Sequence, residues 1–187
     1  GSTLVHQIGL VTFSVEAYTI SSLSEEIDAV QDAIWRLTPE GGTAMAAGLK
    51  KAIAQFDATS NAQQMIILLS DGMPNIGLDF ISYFFDIQEQ ETIQQEIIDL
   101  ANQAGEKGIC VYTVGFGNPQ ADPETDAYID EIFLRQIAQV SGCGQYYSAQ
   151  ESIQLANVFV ELRHASMGTL LMKNSGTIQQ DQLLNLG

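Results

Sequence analysis

The chain has 187 residues, 45% of them apolar, which is enough for one domain with a substantial core and a small appendage. Its 23 acidic residues outnumber the 7 basic ones and give a formal net charge of −16. This charge argues against a nucleic-acid-binding surface and favours divalent cations and basic partners. No apolar run reaches the ~18–20 residues that a membrane-spanning helix needs.

Short apolar runs typical of strands alternate with longer runs that have helical spacing. This alternation predicts an α/β fold with a doubly wound, mostly parallel sheet flanked by helices, of Rossmann-like type. The predicted elements, in chain order, are a strand at 8–13, a turn at 20–23, a helix at 27–37 capped by Ser24, a helix at 44–56, a strand at 65–69, a helix at 92–105 ending at Gly105, a strand at 109–114, a helix at 126–140, a strand at 145–148 and a helix at 151–162.

The alternation of strand and helix patterns ends near the C-terminus, so we place a boundary between a domain at 4–165 and an extension at 166–187. Within the extension, Gly168–Lys173 and Thr177–Leu186 flank the turn Asn174-Ser-Gly176. This pattern predicts a β-hairpin or the first strands of a following β-rich domain. A return of the segment to pair with the main domain is the alternative.

Two loops carry the residues that are best suited to bind a ligand. Asp71 follows a short apolar strand that we expect to be buried in a covered parallel sheet, and such sheets bind ligands at the carboxyl ends of their strands. Thr43 opens a helix after Gly41 and Gly42, which allow a tight loop. A hydroxyl and a carboxylate at one edge of a sheet make a hard-oxygen site suited to Mg²⁺, Mn²⁺ or Ca²⁺. Two such side chains alone would bind a metal poorly.

Five segments follow one another along the chain: Ile8–Phe13, Gly41–Thr43, Leu68–Asn75, Val111–Gly117 and Ser141–Tyr147. Their order and spacing, over about residues 7–163, resemble the von Willebrand factor A domain. The resemblance implies a metal-ion-dependent adhesion site, in which a D-x-S-x-S loop after the first strand, a threonine and an aspartate hold Mg²⁺ or Mn²⁺. Thr43 and Asp71 match the threonine and the aspartate, and Gly41, Gly42, Ser70 and Gly72 would support their loops.

The D-x-S-x-S loop is absent from the 187 residues, and the family's first strand and helix would have to precede Leu4. That strand would be the central one of the family's sheet. Three explanations are open: an additional N-terminal piece, completion by another chain, or a divergent domain without a metal. Because Thr43 and Asp71 are intact, we favour a missing piece, and we expect Mg²⁺ or Mn²⁺, with Ca²⁺ as an option, only if the serine loop is supplied.

The two cysteines, Cys110 and Cys143, each lie near the start of a predicted strand. If these strands are parallel neighbours, both cysteines lie at the amino edge of the sheet, where a disulfide is geometrically possible. Two buried thiols remain the alternative. A disulfide would indicate an oxidising compartment, and we favour an extracellular, cell-surface or periplasmic location over the cytoplasm.

The function expected from the resemblance is non-catalytic: a protein-binding or adhesion module that engages an acidic side chain of a partner protein through its metal. The aromatic cluster Phe80, Tyr83, Phe84 and Phe85 is a candidate partner surface, or else a cap on the domain's own core. A metal-independent scaffold completed by another chain is the second hypothesis. A Rossmann-like nucleotide-binding enzyme is the third, although Gly115-Phe-Gly117 lacks the rest of a dinucleotide fingerprint.

Overall fold

The computed structural model describes residues 6–38, 41–71, 73–78, 87–122, 128–150, 153–158 and 160–161. Its strands are β1 (Ile8–Phe13), β2 (Ala17–Ser24), β3 (Gln64–Ser70), β4 (Ile109–Phe116) and β5 (Tyr146–Ala149). Its helices are α1 (Ile27–Ile34), α2 (Met45–Ile53), α3 (Ile87–Glu106) and α4 (Glu131–Val140), and residues 153–158 and 160–161 are also helical.

The predicted parallel sheet is confirmed for the second half of the chain. Strands β3, β4 and β5 form a parallel sheet in that order, with Ile66 opposite Val111 and Thr113 opposite Tyr146. Its two faces are covered by different helices. One face packs Ile66, Leu68 and Val111 against α2, α3 and α4, and the other packs Tyr112 and Val114 against Val158. The fold is therefore α/β with helices on both sides of a parallel sheet.

The prediction of a turn at 20–23 was wrong, because Ala17–Ser24 is a strand that pairs with β1 in antiparallel orientation. The short loop Ser14-Val-Glu16 closes the hairpin, in which Val11 lies opposite Thr19 and Phe13 opposite Ala17. The serines in β2 hid the strand from a sequence reading, since an exposed edge strand tolerates polar residues that a buried strand would not.

The hairpin β1–β2 and the sheet β3–β4–β5 are two separate sheets in the described part of the chain. Helix α2 packs against both of them. Phe13 at the end of β1 packs on the core cluster that contains Ile66 and Leu68 of β3. A Cβ atom on Gly48 of α2 would lie 2.6 Å from Phe13 Cδ1, which shows how closely the helix and the hairpin approach.

Several predicted helix ends were also wrong. Ser24 is not the cap of α1: Glu26 is at that position, and Ser24 Oγ only accepts a hydrogen bond from Glu26 N at 3.3 Å. Gly105 does not end α3, because the helix continues to Glu106 and the left-handed residue is Gly108, with φ +77°. Helix α4 begins at Glu131, where Asp130 accepts a hydrogen bond from Phe133 N at 2.9 Å and so caps the helix.

Strand β3 is less buried than its apolar sequence predicts. Its alternate residues Ile66 and Leu68 are buried, but Ile67 and Leu69 on the opposite face keep 39% and 40% of their surface exposed. No helix within the described ranges is long and apolar enough to cross a membrane.

Candidate functional site at the carboxyl edge of the sheet

Thr43 lies in the loop that leads into α2, and this loop is hydrogen-bonded to the loop that follows β3. The backbone N–H of Thr43 donates to Asn75 Oδ1 at 2.8 Å, and Asn75 N donates to the carbonyl oxygen of Thr43 at 3.3 Å. The next residue, Ala44, donates its N–H to the carbonyl oxygen of Ser14 at 2.7 Å. The loops after β1, before α2 and after β3 therefore converge at one edge.

Gly42 has the backbone conformation that this loop requires. Its φ is +98°, which residues other than glycine rarely adopt. A Cβ atom at this position would lie 2.9 Å from Ile76 Cδ1 and 3.1 Å from Val15 Cγ2. A Cβ atom on Gly41, by contrast, would have no other atom within 4 Å, so the constraint applies to Gly42 alone.

Asp71 comes directly after the last residue of β3 and is exposed. The preceding Ser70 is buried, with 4% of its surface exposed, and lies opposite Gly115 of β4. Asp71 therefore occupies the carboxyl edge of the parallel sheet, as the sequence predicts. Asn75, four residues further along, brings the Thr43 loop to this same edge.

Helix α3 holds the loop that follows Asp71. Gln90 Nε2 donates to the carbonyl oxygen of Pro74 at 2.8 Å, and Leu78 N donates to Glu96 Oε2 at 2.9 Å. Pro74 and Ile76 are buried on either side of Asn75. Sequence reasoning did not assign Asn75 a role. The available signal was that Asn75 lies between Pro74 and Ile76 in a loop. An amide side chain among buried apolar residues needs a hydrogen-bonding partner.

Asn75→Ala should lower the free energy of unfolding by about 1–2 kcal/mol, because the half-buried N–H of Thr43 loses its acceptor. Asn75→Asp is the matched control, since its carboxylate can still accept that hydrogen bond. Urea denaturation in the presence of EDTA measures both variants without any contribution from metal. Equal stability of Asn75→Ala and the wild type would show that the bond does not hold the two loops together.

The donors at this edge fit a divalent cation in kind but are few in number. The Thr43 hydroxyl and the Asp71 carboxylate are hard oxygen donors of the type that Mg²⁺ and Mn²⁺ prefer. Among the described residues, there is no group of three or more His, Cys, Asp or Glu side chains that could hold a metal by themselves. A tight site at this edge therefore needs further donors.

Asp57, the aspartate nearest to a D-x-S-x-S pattern, is at the wrong edge. It lies between α2 and β3, at the amino end of the strand. Its carboxylate accepts hydrogen bonds from Thr59 N at 2.8 Å and Thr59 Oγ1 at 2.7 Å, which lower its pKa. Asp57 thus stabilises its own turn and cannot supply the missing serine loop.

The structure joins Cys110 and Cys143 in a disulfide, with their Cα atoms 5.1 Å apart. Of the two alternatives that the sequence left open, the structure has the bonded form. Cys110 is the second residue of β4 and Cys143 precedes β5, so the bond lies at the amino edge of the sheet. It is a structural crosslink on the side opposite Thr43 and Asp71.

Several predicted features lie outside the described residues. They are Gly72, the aromatic cluster Phe80, Tyr83, Phe84 and Phe85, and the extension at 166–187.

Comparisons with known proteins identify a family and several solved structures to which this chain is similar. The family model of the von Willebrand factor type A domain matches residues 2–161. The pilus adhesin SpaC from Lactobacillus rhamnosus GG has a TM-score of 0.64 and 17% identity, over 86% of this chain and 25% of that one. BatB from Bacteroides thetaiotaomicron, a conserved hypothetical protein, has a TM-score of 0.63 and 19% identity, over 88% and 82% of the two chains.

A third solved structure is the vWF domain of the type V pili tip protein Mfa5 from Porphyromonas gingivalis. Its TM-score is 0.60 and its identity is 15%, over 92% of this chain and 82% of that chain. At these identities the solved structures show the shared fold, and the family model covers most of the chain. This chain belongs to the von Willebrand factor type A domain family.

Proposed function

We propose that this chain is a non-catalytic protein-binding module whose carboxyl edge, around Thr43 and Asp71, engages a partner protein. The observation that carries the proposal is the pair of hydrogen bonds between Thr43 and Asn75, which fixes the threonine loop beside the loop that begins at Asp71. Family membership supports a role in protein interaction, as do structural neighbours named as a pilus adhesin and a pilus tip protein.

In this proposal Thr43 and Asp71 are two of the donors to Mg²⁺ or Mn²⁺. Asp71 supplies a negative charge at an exposed position, and Thr43 supplies a neutral oxygen on a loop fixed by its backbone. When bound, the metal supplies a positive charge that attracts a carboxylate of the partner protein. Mg²⁺ usually keeps several waters, so two side chains give weak binding, and a serine loop from outside the 187 residues would complete a tight site.

An extracellular, cell-surface or periplasmic location fits this role. The Cys110–Cys143 disulfide is of a kind that persists in oxidising compartments and is rare in the cytosol. The net charge of −16 raises the local concentration of divalent cations around the protein and disfavours nucleic acid as a partner.

A thermal-shift titration with Mn²⁺ and Mg²⁺ tests the metal proposal. Ligand at about ten times its dissociation constant adds ~1.4 kcal/mol of stability. We expect Mn²⁺ to raise the melting temperature of the wild type and to do so less in Asp71→Asn. The matched control is Glu106→Gln, which removes the same charge at the end of α3, next to the amino edge of β4. Equal shifts in the two variants would show that the cation binds the acidic surface in general and not Asp71.

A further inference from the structure

Helix α3 contributes neither of the two proposed metal donors, yet it binds the loop that connects them. This loop, residues 73–78, begins two residues after Asp71, and its Asn75 is hydrogen-bonded to Thr43. We call residues 73–78 the bridging loop. A side chain that fixes the bridging loop can therefore act on both donors from a distance.

Two side chains of α3 bind the bridging loop, one on each side of Asn75. Gln90 Nε2 donates to the carbonyl oxygen of Pro74 at 2.8 Å, and the N–H of Leu78 donates to Glu96 Oε2 at 2.9 Å. Both hydrogen bonds involve backbone groups of the loop, so they fix the path of its backbone. Asn75 lies between these two fixed points.

The bridging loop and Glu96 approach each other closely at Gly77. A Cβ atom on Gly77 would lie 3.3 Å from Glu96 Oε2 and 3.4 Å from Ile93 Cγ1. A longer side chain at this position would push the loop away from α3. The glycine therefore permits the short distance that the hydrogen bond from Leu78 to Glu96 requires.

Helix α3 is a firm support for Glu96 because its apolar side is buried in the core. Ile93 and Ile97 are 3% and 0% exposed. They belong to the same core cluster as Met45, the first residue of α2. In a close-packed core such a helix cannot shift without moving its neighbours, so the backbone that carries Glu96 is fixed.

We propose that Glu96 is a positioning residue for the metal site. Through the bridging loop it holds Asn75, and thereby Thr43, in place, and it raises the affinity for Mg²⁺ or Mn²⁺ without contacting the metal. Gln90 supports the loop from its other side. A loop that is already in place loses less conformational entropy when the metal binds. The effect on affinity rests on the proposed function, in which Thr43 and Asp71 hold the metal.

Amide hydrogen exchange, measured by NMR on the full chain in EDTA, tests the coupling without metal. Glu96→Ala should speed exchange of the Thr43 N–H by about fivefold, although residue 96 has no hydrogen bond to it. Glu96→Gln should behave like the wild type, because its amide oxygen can still accept from Leu78. Glu91→Ala, which removes an exposed carboxylate from the same helix, is the matched control and should leave Thr43 unchanged. Unchanged exchange at Thr43 in Glu96→Ala would overturn the proposal, and so would an equal rise in β5, since that would show only a loss of overall stability.

Mn²⁺ titration of the same variants measures the effect on affinity. Glu96→Ala should bind Mn²⁺ about fivefold more weakly than the wild type. Glu96→Gln and Glu91→Ala should bind like the wild type, and a Glu96→Gln as weak as Glu96→Ala would overturn the positioning role in favour of a charge effect. If Asp71→Asn weakens binding and Glu96→Ala does not, the positioning role is wrong and the proposed metal donors stand. If Asp71→Asn has no effect, the proposed metal donors are wrong and the role of Glu96 in metal affinity is overturned with them, whatever the exchange at Thr43.

Discussion

The double variant Cys110→Ala/Cys143→Ala should unfold with a free energy about 3–4 kcal/mol lower than that of the oxidised wild type. The disulfide joins residues 33 positions apart. In the chain-entropy treatment, a crosslink that closes a loop of this size lowers the conformational entropy of the unfolded state and so raises its free energy by about 3.8 kcal/mol. The bond also ties the start of β4 to the loop before β5, so its loss should loosen the amino edge first.

Urea denaturation of the variant and of the wild type, with and without dithiothreitol, measures the effect of the disulfide. Reduced wild type should match the double variant, because both lack the crosslink. A wild type whose midpoint does not respond to reduction would contradict the bonded state. The carboxyl edge is on the opposite side of the sheet, so metal binding should survive in the variant wherever the protein is folded.

Gly42→Ala should cost about 2 kcal/mol of stability and weaken metal binding. The backbone at this position has φ +98°, a conformation that costs ~1–3 kcal/mol for an alanine in place of glycine. The methyl carbon would also press on Ile76 and Val15, at distances of 2.9 Å and 3.1 Å from their nearest side-chain atoms. Relief of this strain should move the adjacent Thr43 away from Asn75 and so weaken the hydrogen bonds between them.

Gly41→Ala is the neighbouring control for Gly42→Ala. It adds the same methyl group where no atom lies within 4 Å, and we expect a change within about 0.5 kcal/mol. Thermal or urea unfolding of the two variants, followed by Mn²⁺ titration, gives both readouts. If the two alanines cost the same, the loop before α2 is not fixed by the conformation of Gly42.

Local patterns in the sequence predicted the parallel sheet and the place of Asp71. The apolar run of β3 followed at once by Ser70 and Asp71 can be read without tertiary information, because strand burial and loop chemistry are both local. The cap at Asp130 is also a local pattern, and it was missed because the predicted helix at 126–140 was given an earlier start. Strand β2 was missed because its serines are typical of a turn. The partner of Asn75 depends on which loops meet in space, and the sequence alone does not supply that.

The prediction that β3 is buried on both faces was wrong in part. Apolar sequence reports the environment that a strand is suited to, whereas exposure reports which neighbours are present. Ile67 and Leu69 are suited to a covered sheet, yet they are 39% and 40% exposed on the face opposite Ile66 and Leu68. The burial of a strand face therefore depends on its neighbours in space, which the apolar sequence of the strand does not supply.

Counting bound Mn²⁺ by the electron paramagnetic resonance signal of the free ion tests the metal-binding claim most directly. The wild type and Glu106→Gln should each bind more Mn²⁺ than Asp71→Asn and Thr43→Ala at the same free concentration, and the difference should approach one ion per chain as that concentration rises. Equal binding by all four proteins would contradict the assignment of Thr43 and Asp71 as metal donors.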